Sequence, residues 1–206
     1  METLDREFRT LLQNHNIEEL DVYSGVVYGI WGDFRIAYLN PGWFHFAKKN
    51  GGEPQISQEW GLGQSILDCV SGDVKEYYEA HYNECLTSHK VWEHEYECSS
   101  DEIYRKYHQI VYPLGEHEGL LIVNSLVVEK PHDLSQKQVR AANKSHYLDK
   151  NGLICQCAYC RMVKNFREVE RWDWVPEWVK ECPENTSHTF CPTCFSHYFT
   201  KPTTDE

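Results

Sequence analysis

The sequence has 206 residues, enough for one large domain or for a standard domain followed by a small one. Acidic residues outnumber basic ones by 32 to 20, and the net charge of −12 argues against a general nucleic-acid binder, because phosphate contacts need a basic surface. The first ten residues lack the apolar core of a secretory signal and no apolar run could cross a bilayer, so we expect a soluble, cytoplasmic protein with no membrane partner.

The first third of the chain predicts a helix followed by a β-hairpin. Apolar residues recur at helical spacing between Glu2 and His15. Runs of β-branched and aromatic residues at Val26 to Ile30 and Phe34 to Leu39 predict two strands joined by a glycine-containing turn. Asn40-Pro41-Gly42 then ends the second strand and opens a helix over Trp43 to Lys49.

The middle of the chain predicts one long helix and three strands. Charged and apolar residues alternate over Asp73 to Ser88 as in a helix packed on one side. The runs Val91 to Cys98, Tyr104 to Leu114 and Gly119 to Val128 are separated by polar turns, which is typical of an antiparallel meander. The order helix, two strands, helices, three strands predicts an α+β fold with a five-stranded antiparallel sheet.

Two segments within this order resemble the PAS sensor family. The stretch GDFRIAYLNPGWF at Gly32 to Phe44 resembles the PAS entry, where a strand ends in Asn-Pro before a helix. The stretch YRKYHQIVYPL at Tyr104 to Leu114 is similar to the penultimate PAS strand, which ends in Pro-Leu. The resemblance covers about residues 20 to 130 and implies a PAS-like sheet with flanking helices; a different α+β domain is the alternative.

The sharpest motif is a matched pair of Cys-x-x-Cys sequences in the last third. They are Cys157-Ala-Tyr-Cys160 and Cys191-Pro-Thr-Cys194. In a reducing cytosol such pairs indicate a metal site, and zinc takes four soft ligands at tetrahedral corners. A helix predicted over Pro192 to Phe199 would place the second pair at a helix N-terminus, whose dipole favours thiolate. We therefore predict a structural Zn²⁺ held by these four cysteines; redox thiols or buried apolar cysteines are the alternative.

The spacing also resembles treble-clef zinc fingers and a small cysteine module appended to some bacterial sensor proteins. In that module a Ser-His precedes the second Cys-Pro-x-Cys, here Ser187-His188. His188 is a reserve ligand or a hydrogen-bond donor to a thiolate. Cys155 is a second reserve ligand, a spare thiol, or a neighbour that makes the site oxidisable. The tryptophans at 172, 174 and 178 are expected to fill the core of this small module.

The PAS resemblance implies a cleft in which family members hold haem, flavin, a small organic ligand or nothing. Alternation along Val91 to Cys98 turns the glutamates to solvent and the aromatic residues inward. The candidate lining residues are Trp92, His94, Tyr96, His108 and Asn124. His81 is the more natural haem ligand by its position in the family. We nevertheless expect hydrogen-bonded core histidines and no haem, because inward-facing rings, with Tyr104 and Tyr112 among them, would fill the space.

These observations divide the chain into a PAS-like sensory domain with its N-terminal helix at residues 1–132, a linker at 133–150 and a treble-clef-like zinc module at 151–206. No nucleophile elbow, phosphate loop or kinase motif occurs, so we expect no enzyme. The predicted function is sensory signal transduction, with the zinc module binding a protein partner. The alternatives are a haem- or redox-dependent sensor and a transcription regulator that uses the zinc module on DNA.

An apolar stripe on the first predicted helix bears on oligomeric state. It consists of Leu4, Phe8, Leu11 and Leu12. A single helix would leave this stripe exposed, and PAS relatives often pair through such a helix, so we expect a homodimer. The alternative is that the stripe covers the sheet of its own chain.

Overall fold

The computed structural model describes residues 2–168 and 170–199. Within these residues the chain forms two compact units. The first unit spans Met1–Cys69, Tyr77–His94 and His108–Ser125. The second unit spans Val70–Glu76, Glu95–Tyr107 and Leu126–Glu206. No helix in the described part of the chain is long and apolar enough to span a membrane.

A five-stranded antiparallel sheet confirms the predicted fold class. Its strands are β1 (Val26–Trp31), β2 (Ile36–Leu39), β3 (Trp92–Glu97), β4 (Ile103–Leu114) and β5 (Gly119–Pro131), in the order β2-β1-β5-β4-β3. The first strand lies between β2 and β5, and its register with β5 runs from Val26 opposite Asn124 to Trp31 opposite Gly119. The strand of this sheet that comes last in the sequence, β5, therefore lies at the centre of the sheet, beside β1.

Five helices precede or interrupt these strands. They are α1 (Phe8–Leu11), α2 (Ile17–Val22), α3 (Pro41–Lys49), α4 (Gln55–Glu59) and α5 (Asp73–Ser88), and a 3₁₀ turn spans Ile66–Cys69. The bounds of α5 are those that the sequence predicts. Tyr82 and Leu86 of α5 pack with Ile30, Ile122 and Val111 on one face of the sheet. This face carries the larger apolar cluster of the first unit.

The N-terminal segment differs from the helix predicted over residues 2–15. Its first residues are extended along the outer edge of β2, where Asp5 N–H donates to the Ala37 carbonyl at 2.8 Å and Leu4 bridges Tyr38. Only the four residues of α1 are helical. An unpaired sheet edge offers backbone hydrogen bonds that an isolated short helix does not match, which explains the difference.

The apolar stripe of this segment is used inside the chain. Phe8 and Leu12 are fully buried and pack with Val27, Tyr38 and Leu121 on the second face of the sheet. Leu4 and Leu11 pack at the margin of the same cluster. The alternative interpretation of the stripe, that it covers its own sheet, is therefore the observed one, and the stripe is not an exposed dimer surface.

Asn40 joins four segments of the first unit. Its side chain is fully buried and accepts hydrogen bonds from Val27 N–H at 2.9 Å and Trp43 N–H at 3.1 Å, so it caps α3 and holds β1 at once. Its amide also donates to three carbonyls, those of Leu20 at 3.2 Å, Tyr23 at 3.3 Å and Gly25 at 2.9 Å. Gly42 allows this close approach, since a Cβ there would lie 2.0 Å from the Gly25 carbonyl oxygen.

The second unit contains a four-stranded sheet in the order β8-β7-β6-β9. Its elements are α6 (Lys144–Tyr147), β6 (Ile154–Cys157), β7 (Val163–Lys164), β8 (Trp172–Asp173), α7 (Pro176–Lys180), β9 (Thr186–Thr189) and α8 (Pro192–Phe199), after a 3₁₀ turn at Leu134–Gln136. Trp174 is fully buried and Trp178 is nearly so, as expected for residues that fill the core, whereas Trp172 is partly exposed. Tyr147, from the segment predicted as a linker, packs in the same core against Ile154 and Val175.

We predict that Asn40→Ala lowers the free energy of unfolding of the first unit by about 3 kcal/mol or more. The substitution leaves buried carbonyls and amides without partners, at roughly 1–3 kcal/mol for each unsatisfied group. Asn16→Ala is the matched control, because Asn16 caps α2 at an exposed position and its loss costs about 1 kcal/mol. Urea titration followed by near-UV circular dichroism measures both variants, and equal losses would contradict the role given to Asn40.

Candidate metal centre

The first cysteine pair lies on a tight turn between β6 and β7. Cys157 ends β6, its N–H donates to the Met162 carbonyl at 2.8 Å, and its own carbonyl accepts from Arg161 N–H at 3.1 Å. Arg161 has a positive φ of 61°, which lets the chain reverse directly after Cys160. Ala158 N–H donates to the Thr189 carbonyl at 2.9 Å and so ties the turn to β9, and the turn brings the sulfurs of Cys157 and Cys160 close together.

The second pair lies where β9 leads into α8. Strand β9 runs parallel to β6, with Cys157 opposite Thr189, so the carboxyl ends of both strands lie side by side. Cys191 follows β9 and Cys194 occupies the first turn of α8. The helix has the bounds Pro192–Phe199 that the sequence predicts. Parallel pairing of two strands thus brings together cysteines that are more than 30 positions apart in the sequence.

The four sulfurs form one compact group. The Sγ atoms of Cys157, Cys160, Cys191 and Cys194 all lie within 4.8 Å of one another, and those of Cys160 and Cys191 are 3.6 Å apart. A disulfide would require about 2 Å. Ligands about 2.3 Å from a tetrahedral Zn²⁺ are roughly 3.8 Å apart, so the spacing fits a four-coordinate metal ion. The group could hold a metal, as the spacing of the motifs predicts.

Hydrogen bonds and charge also fit a metal at this position. Cys191 N–H donates to the Cys157 sulfur and Cys194 N–H donates to the Cys191 sulfur, both at 3.4 Å. Hydrogen bonds from the neighbouring thiols, Cys160 first, lower the pKa of Cys157, and the same contact raises the pKa of Cys160. The cluster alone therefore favours one thiolate and resists the next. A dication would remove this repulsion and permit four thiolates.

The two reserve ligands lie beside the cluster and not in it. Among the described residues, the metal-capable group consists of the four cysteines. His188 and Cys155 are paired in the sheet with Gln156 and Ser187, respectively, three residues before Cys191 and two residues before Cys157. Burial lowers the pKa of His188, so the neutral imidazole is favoured there. Cys182 is exposed.

Lys137 is a charged residue near the cluster that the sequence does not single out. Its ammonium lies 3.4 Å from the centroid of the Trp174 ring and 3.1 Å from His132 Nδ1. Burial lowers the pKa of Lys137, while the Glu97 carboxylate and the thiols of Cys160 and Cys194 act in the opposite direction. No local motif marks this lysine, because its place beside the thiols depends on the fold of the second unit.

Two of the candidate cleft residues form an aromatic stack in the first unit. The ring of Trp92 stacks on His94, with centroids 4.3 Å apart, and on His81, with centroids 4.5 Å apart. His94 Nε2 lies 3.3 Å from the Tyr78 hydroxyl. Burial first, and then the nearby His81 and His108, lower the pKa of His94 to about 3. His94 is thus a neutral, hydrogen-bonded histidine.

Two other candidate residues are also buried or stacked. Asn124 is 3% exposed, accepts from Gln109 Nε2 at 2.9 Å and donates to the Val26 carbonyl at 3.2 Å. Tyr96, in the second unit, stacks on Tyr107 with centroids 5.4 Å apart. The odd-numbered residues of β4, which include Gln109 and Val111, therefore face the interior.

Three expectations about the facing of side chains require correction. His108 is on the opposite side of β4, where its Nε2 lies 3.3 Å from the Glu93 carboxylate, and it does not line the interior. Tyr112 packs against the cluster that contains Phe8 and Leu121, so it lies on the second face of the sheet and not on the face of Tyr82 and Leu86. Glu97 was expected in solvent but is 7% exposed, accepts from the Ser99 hydroxyl at 2.8 Å, and burial raises its pKa. Side chains alternate along a strand, so a wrong choice of the inward face of β4 assigns every residue of that strand to the wrong side.

Comparisons with known proteins complete the description. No family model and no characterised protein matches the sequence. The structure is similar to the PAS domain of BvgS from Bordetella pertussis, with a TM-score of 0.42 and 14% identity over 60% of this chain and 87% of that one. It is also similar to the PAS domain of an HTR-like protein from Haloarcula marismortui, with a TM-score of 0.34 and 15% identity over 59% of this chain and 98% of that one.

We predict that Cys157→Ser and Cys194→Ser each abolish stoichiometric metal binding and unfold the second unit. Metal binding supplies folding free energy on the order of 10 kcal/mol in small metal-bound modules. Cys182→Ser is the matched control, because Cys182 is exposed and lies outside the cluster. Metal content and hydrogen exchange report the result, and a Cys157→Ser/Cys194→Ser double variant that keeps one metal per chain would contradict the assignment.

We also predict that the first unit loses stability in mild acid through His94. A histidine with a folded pKa of about 3 and an unfolded pKa of 6.5 leaves stability unchanged above pH 6.5. Below that pH the unfolded state takes up the proton first, so stability falls until the pH reaches the folded pKa. The loss at pH 5 is about 2 kcal/mol.

The variant His94→Gln tests this origin. The free energy of unfolding of this variant at pH 7.5 is lower than that of the native chain. Its decrease between pH 7.5 and pH 5, however, is smaller than the decrease in the native chain by about 2 kcal/mol. His45→Gln, at an exposed position, serves as the control and leaves the pH dependence intact. If His94→Gln retains the full acid dependence, other groups cause it.

Proposed function

We propose that this protein is a non-catalytic signalling protein in which a PAS-type sensory unit is joined to a structural zinc module that binds a protein partner. The observation that carries the proposal is the four-cysteine cluster. Four protein thiolates complete a tetrahedral shell and leave no position for a substrate or an activated water, which is the arrangement of structural sites and not of catalytic ones.

The polar groups in the core of the first unit support the non-catalytic part. The Tyr28 and Tyr82 hydroxyls lie 3.1 Å apart, and burial raises the pKa of Tyr28 above its ordinary value. Asn124 and Gln109 bind each other. An acid or base in catalysis needs a pKa near the working pH, and these groups either do not titrate or titrate far from it.

The same reasoning favours a unit that binds no haem. His94 contacts the Tyr78 hydroxyl, and His81 Nδ1 lies 3.6 Å from the Glu84 carboxylate. Both imidazoles also stack on Trp92. A haem ligand would have to leave these contacts, so the stack supports a structural role for both histidines. The PAS assignment itself rests on the order of strands and helices and on the sequence resemblance.

Charge favours a protein partner over DNA. From Lys150 onward the sequence has seven basic and eight acidic residues, and the whole chain carries −12. Neutralising phosphates requires an excess of lysine and arginine on one face. Exposed apolar side chains on the second unit, including Phe195 at 53% exposure on α8, are instead suited to a protein surface.

Native mass spectrometry with metal analysis tests the zinc assignment. The expected result is one zinc per chain, no retained haem and no Soret absorbance. Stoichiometric iron would contradict the zinc assignment and indicate a redox centre instead, because four cysteines also bind iron. A Soret band lost in His81→Ala or His94→Ala would replace the proposal with a haem sensor.

Proximity labelling in cells tests the interaction. The native chain, Cys194→Ser and the control Cys182→Ser are compared at equal expression. Under the proposal the native chain and Cys182→Ser label the same partner, and Cys194→Ser loses it because the second unit unfolds without metal. Identical labelling by all three chains would place the interaction outside the zinc module.

A further inference from the structure

A cavity of about 570 Å³ opens on the second unit. This volume lies in the range of small-molecule binding sites. Its lining includes Cys155 of β6, Lys164 of β7, Trp172 of β8 and Ser187 of β9, together with Phe166 and Phe190. The four strands of one small sheet therefore all contribute to the same concave surface, beside the cysteine cluster but separate from its sulfurs.

The apolar part of the cavity is aromatic. The ring of Phe190 contacts the ring of Tyr159 edge to face, with centroids 5.1 Å apart, and Trp172 packs at the margin of the cysteine cluster. Phe166 is 39% exposed, so part of its ring faces solvent. A planar ligand between these rings would cover Phe166 and gain stacking energy.

The polar part of the cavity contains one unpaired cation. The Lys164 ammonium lies 5.3 Å from the centroid of the Phe166 ring. Within residues 2–168 and 170–199, no carboxylate forms an ion pair with it. A half-buried ammonium beside an apolar wall gains from an anionic partner, because the low local dielectric strengthens the attraction.

Two carboxylates limit the charge of that partner. Asp73 and Glu170 also line the cavity. Asp73 is engaged, since its Oδ2 accepts from the Thr189 hydroxyl at 2.7 Å, but its negative charge remains. A ligand with a second negative charge would face repulsion from both side chains. The two carboxylates therefore disfavour a second negative charge on the ligand.

Gly72 keeps one wall of the cavity close. Its φ is +60°, and a Cβ at this position would lie 2.8 Å from the His188 carbonyl oxygen. The start of α5 therefore lies directly against β9. Cys155 and Ser187, which are paired between β6 and β9, line the cavity; β6 ends at Cys157, and Cys191 follows β9 by two residues. A ligand beside this pair would contact the strand that carries Cys157 and the strand that leads to Cys191.

We propose that this cavity binds a small aromatic monocarboxylate, with its ring against Phe166 and Trp172 and its carboxylate paired with Lys164. The proposal goes beyond the function proposed above, since it assigns a ligand to the second unit and depends on the cavity and not on the identity of the metal. It also gives the sensory role a chemical input next to the metal centre.

A series of three indole compounds tests the ligand class on the full, metal-loaded chain. Indole-3-acetate carries the carboxylate, indole-3-acetamide is its neutral analogue and tryptamine is cationic. Isothermal titration calorimetry is expected to show saturable binding of the acetate, binding of the amide weaker by about tenfold or more, and no binding of tryptamine. Tryptamine binding more tightly than the acetate would overturn the proposal, because Asp73 and Glu170 would then decide the charge.

Variants and a covalent probe locate the binding. Lys164→Gln weakens the acetate by about tenfold or more and leaves the amide unchanged, whereas the matched control Lys180→Gln, on α7 outside the cavity lining, changes neither. Phe166→Ala weakens both compounds, and its partial exposure makes it a safe second variant for folding. Bound acetate also slows alkylation of Cys155, measured by peptide mass spectrometry, and does not slow that of the exposed Cys69.

Four results overturn the proposal. The first is the absence of saturable binding of indole-3-acetate, phenylacetate or benzoate at millimolar concentration, and the second is an unchanged affinity for indole-3-acetate in Lys164→Gln with native metal content. The third is binding of the acetate that does not slow alkylation of Cys155. The fourth is tighter binding of tryptamine than of indole-3-acetate. Failure of the zinc proposal is distinguishable, because it changes the metal content found by analysis and leaves these binding results unchanged.

Discussion

The second unit brings four sulfurs together, three of them on buried cysteines and one on the partly buried Cys160. Parallel pairing of β6 and β9 sets Cys157 beside the residues that lead to Cys191, and the turn at Arg161 and the start of α8 add the other two sulfurs. Strands β7 and β8 have only two residues each, so the sheet alone buries little apolar surface. Four thiolates without a cation would repel one another, and a dication bound at this position would remove the repulsion and stabilise the unit. The strands and helices of this unit hold the four sulfurs at these positions.

Each unit also contains one buried polar side chain that joins several segments. Asn40 does so in the first unit, and Asp173 does so in the second. Asp173 is fully buried and accepts from Tyr147 at 3.0 Å, Asn165 at 2.9 Å and Arg171 at 2.7 Å. Burial opposes its ionisation, but these hydrogen bonds outweigh burial and lower its pKa. Fully satisfied buried polar groups specify one packing arrangement, because any alternative would leave them without partners.

The proposed ligand and the proposed metal site share two strands, and this sharing suggests how a signal would be formed. Cys155 and Ser187 line the cavity, β6 ends at Cys157 of the cysteine cluster, and β9 leads to Cys191. A ligand shifts an equilibrium only as far as its affinity differs between two states. Small displacements of β6 or β9 would alter the geometry of the thiolates, which tolerate little change in distance. A partner that contacts the zinc module would then detect whether the cavity is filled.

By itself the sequence determined the features that local spacing controls. The helices at Asp73–Ser88 and Pro192–Phe199, the five strands of the sheet and the two cysteine pairs all follow from periodicity, turn residues and motif spacing. Only the tertiary structure decided that the first residues pair with the edge of β2, that His108 faces outward beside Glu93, and that Lys137 lies on Trp174. Both faces of the sheet are covered in the first unit, so alternation along β4 does not reveal which side is the interior. Contacts between residues far apart in sequence carry no local signal, because they depend on how complete elements pack.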